Sequence, residues 1–172
     1  MNSSIYRRNE RAVKKVYTRL AEELEYFHEF AQVSNQAIRL GLLKFDSRSA
    51  TILDLKQMIE LPKSSTEAEK LRKLSPKTLF SAPEMFEDSD YPGVFDPKAA
   101  DVWALGVYLY ANVFGEMPFE SAAEILGARR PARLVNGKVS EDLMTLLRAL
   151  LERDPRDRPT IKQARESFDW LK

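Results

Sequence analysis

Few side chains in this sequence combine a type and a spacing that supports chemistry. His28 is the only histidine, which excludes a histidine-based triad and a two-histidine metal site, and favours a packing role. The absence of cysteine excludes disulfides, thiolate nucleophiles and cysteine-ligated metals. One carboxylate stands out by its position. Asp101 lies in the first turn of an otherwise apolar helix, where burial requires several hydrogen-bond donors.

The first half of the chain must position these groups with one long helix and a small hairpin. Apolar residues recur at spacings of three and four over residues 11–31, which predicts an amphipathic helix. The strand-like runs 42–45 and 50–55 flank a polar turn at 46–49, which indicates a hairpin. The polar stretch 56–81 is too dispersed in pattern for a core element, so we predict an exposed loop with at most one helical turn.

The second half carries clear helix boundaries. Asp96 and Pro97 are typical of a helix start, and Gly115 of a helix end. The helix between them is apolar around its whole circumference, so it must be enclosed by the other elements. A second amphipathic helix begins at Ser140, and Thr160 can cap a last short helix that runs to about residue 168.

Composition excludes several classes of protein. A chain of 172 residues with 44% apolar content fits one domain. Its 27 basic and 26 acidic side chains leave a formal charge of +1, so neither nucleic acid nor a membrane surface is an expected partner. The longest apolar run, 102–111, is about half of a bilayer-spanning helix. These features predict a soluble protein of the cytoplasm or nucleus.

Three motifs occur in order along the second half of the chain. They are A-P-E at 82–84, D-V-W-A-L-G at 101–106 and R-D-P-R-D-R-P at 153–159. With them, residues 11–170 resemble the C-terminal lobe of eukaryotic-type serine/threonine protein kinases. Residues 98–119 are most similar to the calcium/calmodulin-dependent kinase kinase group. The implied fold is mainly α, a helical bundle around a central buried helix with one small β-hairpin.

The resemblance also divides the chain and assigns structural residues. Residues 1–172 would form a single lobe with five parts. These are a tail (1–10), the long helix (11–31), a degenerate catalytic loop with the hairpin (34–55), an activation-segment-like loop (56–84) and core helices (97–172). Glu84 and Arg158 match a buried ion pair of the family. Asp101 matches the carboxylate that binds the backbone of the catalytic loop, and Trp103 a core residue.

The catalytic positions depart from the family pattern. Counting forward from the Y-F-H at 26–28 places the family's H-R-D on residues 34–36, and counting back from its D-F-G, placed at 54–56, gives the same register. Gln36 then stands where the family has its proton-accepting aspartate, and Gly41 where an asparagine ligates magnesium. Ile38 stands where a lysine contacts the transferred phosphate.

The other positions that bind ATP and magnesium in the family also lack most of its binding groups. Leu42 and Leu43 would lie beneath the adenine, and Asp54 remains alone of the metal-binding pair, so we interpret it as vestigial. The glycine-rich loop and its lysine would precede the residues present here. The resemblance therefore predicts no bound ATP or magnesium and no enzymatic activity.

These observations favour a catalytically inactive, pseudokinase-like lobe that binds or regulates a protein. Docking would use the loop 56–81 and the helix at 121–126. The partner could be another kinase or a separate N-terminal lobe. The alternative is a fragment or trans-complementing half of a serine/threonine kinase, which would transfer phosphate from ATP, with magnesium, to protein. A degenerate product without a selected role is a third hypothesis.

Overall fold

Helices form most of the described chain. The computed structural model describes residues 10–35, 43–46, 49–52, 58–91, 93, 95–127, 131–136 and 139–172. Its α-helices are α1 Glu10–Tyr26, α2 Ser65–Leu74, α3 Pro97–Phe114, α4 Ala122–Leu126, α5 Arg133–Asn136, α6 Glu141–Leu150 and α7 Ile161–Ser167. Its strands are β1 Val33–Asn35, β2 Leu43–Asp46, β3 Ser49–Ile52 and β4 Met58–Glu60. The predicted mainly α kinase C-lobe fold is confirmed.

Helix α3 is the centre of the core, as its all-round apolar sequence predicts. The Asp96 carboxylate caps its start by accepting from the Lys98 N–H, and Gly115 ends it in the left-handed region at φ 74°. Nearly every residue between the two caps is buried. In the described part of the chain, no helix, α3 included, has both the length and the apolar character needed to cross a bilayer.

Helix α6 packs closely against α3. The Ser140 hydroxyl caps α6, and its buried stripe contains the four leucines Leu143, Leu146, Leu147 and Leu150. Gly106 of α3 makes the close approach possible. A Cβ atom at Gly106 would lie 2.9 Å from Leu150 Cβ and 3.1 Å from Leu151 Cδ2.

Helices α1 and α7 complete the bundle. The predicted helix 11–31 is present, but its last five residues, Phe27–Ala31, form a π-helical turn. Gln32 ends this turn at φ 53°, and its side-chain amide donates to the carbonyl oxygens of His28 and Glu29 at 3.2 and 2.9 Å. These bonds satisfy carbonyls that a helix end leaves without partners. Helix α7 begins at the predicted cap, Thr160, which forms a reciprocal capping box with Gln163.

The described strands form two small antiparallel pairs. Strands β2 and β3 form the predicted hairpin, with Leu43 opposite Ile52. The second pair, β1 with β4, places Val33 opposite Glu60 and was not predicted. It joins residues on either side of the hairpin. Runs of three residues are too short to show a period of two, which explains why the sequence pattern did not predict this pairing.

The prediction of a loop over residues 56–81 is wrong for its central part. Residues 65–74 form helix α2, capped at Ser64, whose hydroxyl accepts from the Glu67 N–H at 3.2 Å. Only Ala68 and Leu71 of the helix pack partly against the core, and Leu74 is 73% exposed. A helix with so narrow an apolar stripe gives a weak periodic signal.

A polar clamp at Glu10 joins three separate parts of the chain. Its carboxylate accepts from the Trp170 indole N–H at 3.0 Å, from the Ser140 backbone N–H at 3.3 Å and from the Ser140 hydroxyl. Burial opposes ionisation of Glu10, but these hydrogen bonds outweigh it and lower its pKa below the ordinary value of 4.5. The start of α1 is thereby fixed to α6 and to the C-terminal turn Asp169–Leu171.

The close contact at Gly106 predicts that Gly106→Ala destabilises the fold by about 1–3 kcal/mol, because the added methyl group overpacks the α3–α6 contact. Chemical denaturation of the two proteins measures the difference. Ala122→Ser, on exposed α4, is the control and should change stability by less than about 0.5 kcal/mol. An unchanged midpoint for Gly106→Ala would contradict the packing described.

The Glu10 clamp predicts a stability difference that depends on pH. A carboxyl group with a lowered folded-state pKa stabilises the folded protein above its unfolded pKa, and this contribution disappears as pH falls through the folded value. Glu10→Gln should therefore lower the melting temperature at neutral pH, and its difference from the parent should shrink below pH 4.5. Glu166→Gln, an exposed carboxylate of α7, is the control. A difference independent of pH would reject the clamp.

Candidate functional site

The structure contains the ion pair between Glu84 and Arg158 that the resemblance predicts. Glu84 lies in a short 3₁₀ turn, Pro83–Met85, within the A-P-E motif. Arg158 Nη1 and Nη2 donate to Glu84 Oε1 and Oε2 at 2.7 and 3.1 Å, and both side chains are completely buried. This is the bidentate geometry that a guanidinium group supplies and an ammonium group does not.

The other N–H groups of Arg158 also have partners. Its Nε donates to the Glu152 carbonyl at 2.8 Å, Nη1 to the Ala99 carbonyl at 2.8 Å and Nη2 to the Arg153 carbonyl at 3.2 Å. All five donors of the guanidinium are therefore used. One side chain holds the A-P-E turn, the start of α3 and the segment after α6 in a fixed arrangement.

Trp103 connects this ion pair to the core. The guanidinium carbon of Arg158 lies 5.1 Å from the centre of the Trp103 ring, a distance typical of a cation–π contact. The Trp103 ring also stacks on the Phe119 ring, with 5.5 Å between the ring centres and an interplanar angle of 9°. Trp103 is fully buried, in agreement with its predicted place in the core.

Asp101 binds His28 in a second buried polar contact. The two side chains are 2% and 1% exposed, and His28 Nε2 lies 3.0 Å from Asp101 Oδ2. Because a carboxylate oxygen accepts, Nε2 carries the proton. The sequence predicts that His28 packs, which its burial agrees with, but it gives no sign of the bond to Asp101. This contact fixes the end of α1 to the first turns of α3.

The strand that contains the first residues of the predicted catalytic loop is fixed to the same end of α3. Ser34, in β1, is fully buried, and its hydroxyl donates to the Pro97 carbonyl at 3.4 Å. Asn35 ends β1. The expected catalytic and nucleotide positions Gln36, Ile38, Gly41, Leu42 and Asp54 lie outside the described residues. Leu43 is the first residue of β2.

Metal-ligating side chains are not clustered in the described part of the chain. Within the described ranges, no group of three or more histidine, cysteine, aspartate or glutamate side chains could hold a metal ion. The carboxylates of Glu84 and Asp101 are already bound to Arg158 and His28. The described side chains therefore provide structural contacts, and no step of nucleotide chemistry follows from them.

Comparison with known proteins identifies the family. The model of the protein kinase domain matches residues 4–170, which is nearly the whole chain. The chain belongs to the protein kinase domain family. Glu84, Asp101, Trp103 and Arg158 all lie within the matched residues, in a kinase C-lobe fold.

Curated relatives of this kinase chain carry serine/threonine kinase names. The serine/threonine-protein kinase ppk25 of Schizosaccharomyces pombe is 31% identical over 160 residues, which cover 89% of this chain and 35% of the relative. The human SNF-related serine/threonine-protein kinase is 26% identical over 95% of the chain and 21% of its own length. Mouse serine/threonine-protein kinase SIK1 is 38% identical over 54% of the chain and 12% of its length. The chain spans about a third or less of these relatives.

The comparison overturns the expectation that the chain is not an enzyme. A protein kinase domain match and relatives named as serine/threonine kinases point to a kinase. The expectation rested on the identity of Gln36, Ile38 and Gly41 and on the glycine-rich loop and its lysine, which would precede the residues present here. The chain spans about a third or less of its relatives, so the side chains of this part alone were too narrow a basis for excluding the class. The relatives named above carry other group names, so the calcium/calmodulin-dependent kinase kinase subgroup stays a prediction.

The ion pair predicts a large cost for single substitutions. Arg158→Ala or Glu84→Ala should each destabilise the fold by about 3–5 kcal/mol, because the remaining partner is left charged and buried. Denaturation midpoints at constant pH measure the loss.

Arg156→Ala is the matched control. Arg156 pairs with Asp154 only two residues away, but its side chain is 66% exposed, so solvent screens the pair and its loss should cost far less stability than the loss of Arg158. Equal losses for Arg158→Ala and Arg156→Ala would contradict the role of burial.

Proposed function

We propose that this chain is the C-terminal lobe of a serine/threonine protein kinase and that it provides the protein-binding half of an ATP-dependent phosphate transfer to protein. The observation that carries the proposal is the intact polar framework of the lobe. Its two buried contacts, Glu84–Arg158 and His28–Asp101, hold the A-P-E turn and the end of α1 against α3. Maintaining two buried polar contacts is costly unless the geometry they fix is used.

The proposed transfer would depend on positioning. Gln36 could orient the substrate hydroxyl through its amide but could not accept its proton. The hydroxyl oxygen would bond to the γ-phosphorus as the bond to ADP breaks, and the proton would pass to an oxygen of the transferred phosphate. Phosphoryl transfer tolerates this better than most reactions, because its transition state involves little covalent chemistry by the protein. ATP and magnesium would be held by groups beyond the described residues, among which Asp54 is the acidic candidate. The site of this transfer would lie in the cytoplasm or nucleus, which the absence of cysteine accommodates.

A protein partner forms part of the proposal. The two surfaces suggested for docking are α2, in the segment 56–81, and α4. In α4 only Ile125 is buried, so Ala122, Ala123 and Glu124 face outward. A formal charge of +1 supplies no broad field for a nucleic acid, which favours a protein such as a substrate, another kinase or a separate N-terminal lobe.

A transfer assay tests the proposed function. The chain is incubated with magnesium and γ-labelled ATP and a generic protein rich in serine and threonine, alone and with a separately purified kinase N-terminal lobe. Labelled phosphoserine or phosphothreonine is expected in at least one arm, and Asp54→Asn should abolish it, since that position matches the family's remaining metal-binding carboxylate.

Asp142→Asn is the matched control, because Asp142 is an exposed carboxylate in the first turn of α6. It should leave the labelling rate unchanged. Absence of label in every arm, or the same rate in Asp54→Asn as in the parent, would reject the proposed function.

A further inference from the structure

Helix α1 turns one face to the core and the opposite face to solvent. The core face buries Val13, Tyr17, Leu20 and Leu24. The exposed residues on the other side follow one another at spacings of three and four, so they form one continuous stripe that continues into the π-helical turn. The members of this stripe, which we call the α1 stripe, are Arg11, Lys15, Arg19, Glu22, Tyr26 and Phe30. It covers about 29 Å of helix.

Charge is segregated along the α1 stripe in an order that does not favour an isolated helix. Arg11, Lys15 and Arg19 repeat at a spacing of four, so like charges are neighbours on one face, which is destabilising. Arg11 and Lys15 lie near the N-terminal end of α1 and Glu22 near its C-terminal end, the reverse of the order that the helix dipole favours. The stability of the helix itself therefore does not explain the arrangement.

The acidic half of the α1 stripe ends in an exposed aromatic pair. Tyr26 and Phe30 are 59% and 75% exposed, and their rings stack with 5.7 Å between the ring centres and an interplanar angle of 26°. Among the described residues, only one other large apolar side chain is as exposed, Leu74 at 73%. Exposed aromatic surface favours contact with another molecule, and the faces of aromatic rings attract cations.

Contacts within the chain leave the acidic half accessible. Glu22 Oε1 lies 3.4 Å from Arg165 Nη2, but the Glu22 side chain is still 52% exposed. Arg165 also pairs with Glu25. Glu22 can therefore bind a cation from outside the chain without leaving Arg165 unpaired.

A second copy of the chain fits the α1 stripe when the two α1 helices lie antiparallel. In such an isologous contact, a two-fold axis passes midway between Arg19 and Glu22, and each position meets the one equally far from the axis on the other copy. The three opposed pairs are Arg19 with Glu22, Lys15 with Tyr26 and Arg11 with Phe30. One register therefore provides an ion pair and two cation–π contacts, each of them twice. In a parallel, in-register pair each charge would meet an identical one.

We propose that the chain forms an antiparallel homodimer through the α1 stripe. The second copy is the partner that the stripe fits, because its basic half is complementary to its own acidic and aromatic half. Two helices paired over this length bury less surface than a permanent interface, so the dimer should dissociate in the micromolar range. The homodimer does not depend on phosphate transfer, so the transfer assay and the association measurements succeed or fail separately.

Sedimentation velocity of the whole chain, from low micromolar to submillimolar concentration, tests the homodimer. The parent should pass from monomer to dimer. Arg19→Glu and Glu22→Arg should each raise the dissociation constant about tenfold or more, since each places like charges opposite one another twice. A monomer at every concentration, or a dissociation constant that neither substitution changes, would refute the proposal.

Mixing the two variants tests the antiparallel register. An equimolar mixture of Arg19→Glu and Glu22→Arg should restore the dissociation constant of the parent, because both contacts in the mixed dimer again join opposite charges. A mixture that associates no better than its components would refute the register.

The aromatic end has its own variants and controls. Tyr26→Ala and Phe30→Ala should each raise the dissociation constant severalfold, because each removes a cation–π contact at two places. Leu74→Ala, equally exposed but on α2, is the matched control, and Lys70→Glu, an exposed charge reversal on α2, controls for net charge. Both controls should associate like the parent. Equal effects of Phe30→Ala and Leu74→Ala would contradict the proposed interface.

Discussion

The buried guanidinium of Arg158 is the group on which the arrangement of the lobe depends. A charge without water needs a counter-charge and a partner for each donor, and Arg158 has both. Two of its partners, Glu84 and Ala99, lie 74 and 59 residues away in sequence, so satisfying one side chain fixes the relative positions of distant segments. Trp103 passes that constraint to α3, since its ring packs against the guanidinium on one side and stacks on Phe119. The burial of α3 and the placement of the A-P-E turn are therefore coupled through Arg158 and Trp103.

The sequence predicted those elements whose ends carry their own chemistry. Asp96, Ser140 and Thr160 each accept from a backbone N–H of the helix that follows, and Gly115 supplies a left-handed residue that few others adopt. Such signals are local, so they can be read without a structure. The Glu84–Arg158 contact spans 74 residues, and only the family resemblance made it predictable.

The features that the sequence did not predict are those decided by distant neighbours. Helix α2 is helical because Arg72 and Leu71 find partners outside it, which its own pattern does not reveal. The hydrogen bond between His28 and Asp101 joins residues that are 73 positions apart in sequence. The sequence pattern predicts both helices but does not show which of their side chains meet. The expectation of inactivity failed for a related reason, because it inferred the function of a whole kinase site from the side chains of one part of it.

The clamp at Glu10 has a consequence for the order in which the chain folds. Glu10 binds Ser140 and Trp170, which lie 130 and 160 residues further along. During synthesis, which proceeds at about 5–20 residues per second, the start of α1 cannot be fixed in this way until those residues leave the ribosome. Closing so long a loop is also a slow, entropically costly step. The start of α1 should therefore reach its final place late, after the C-terminal turn has been made.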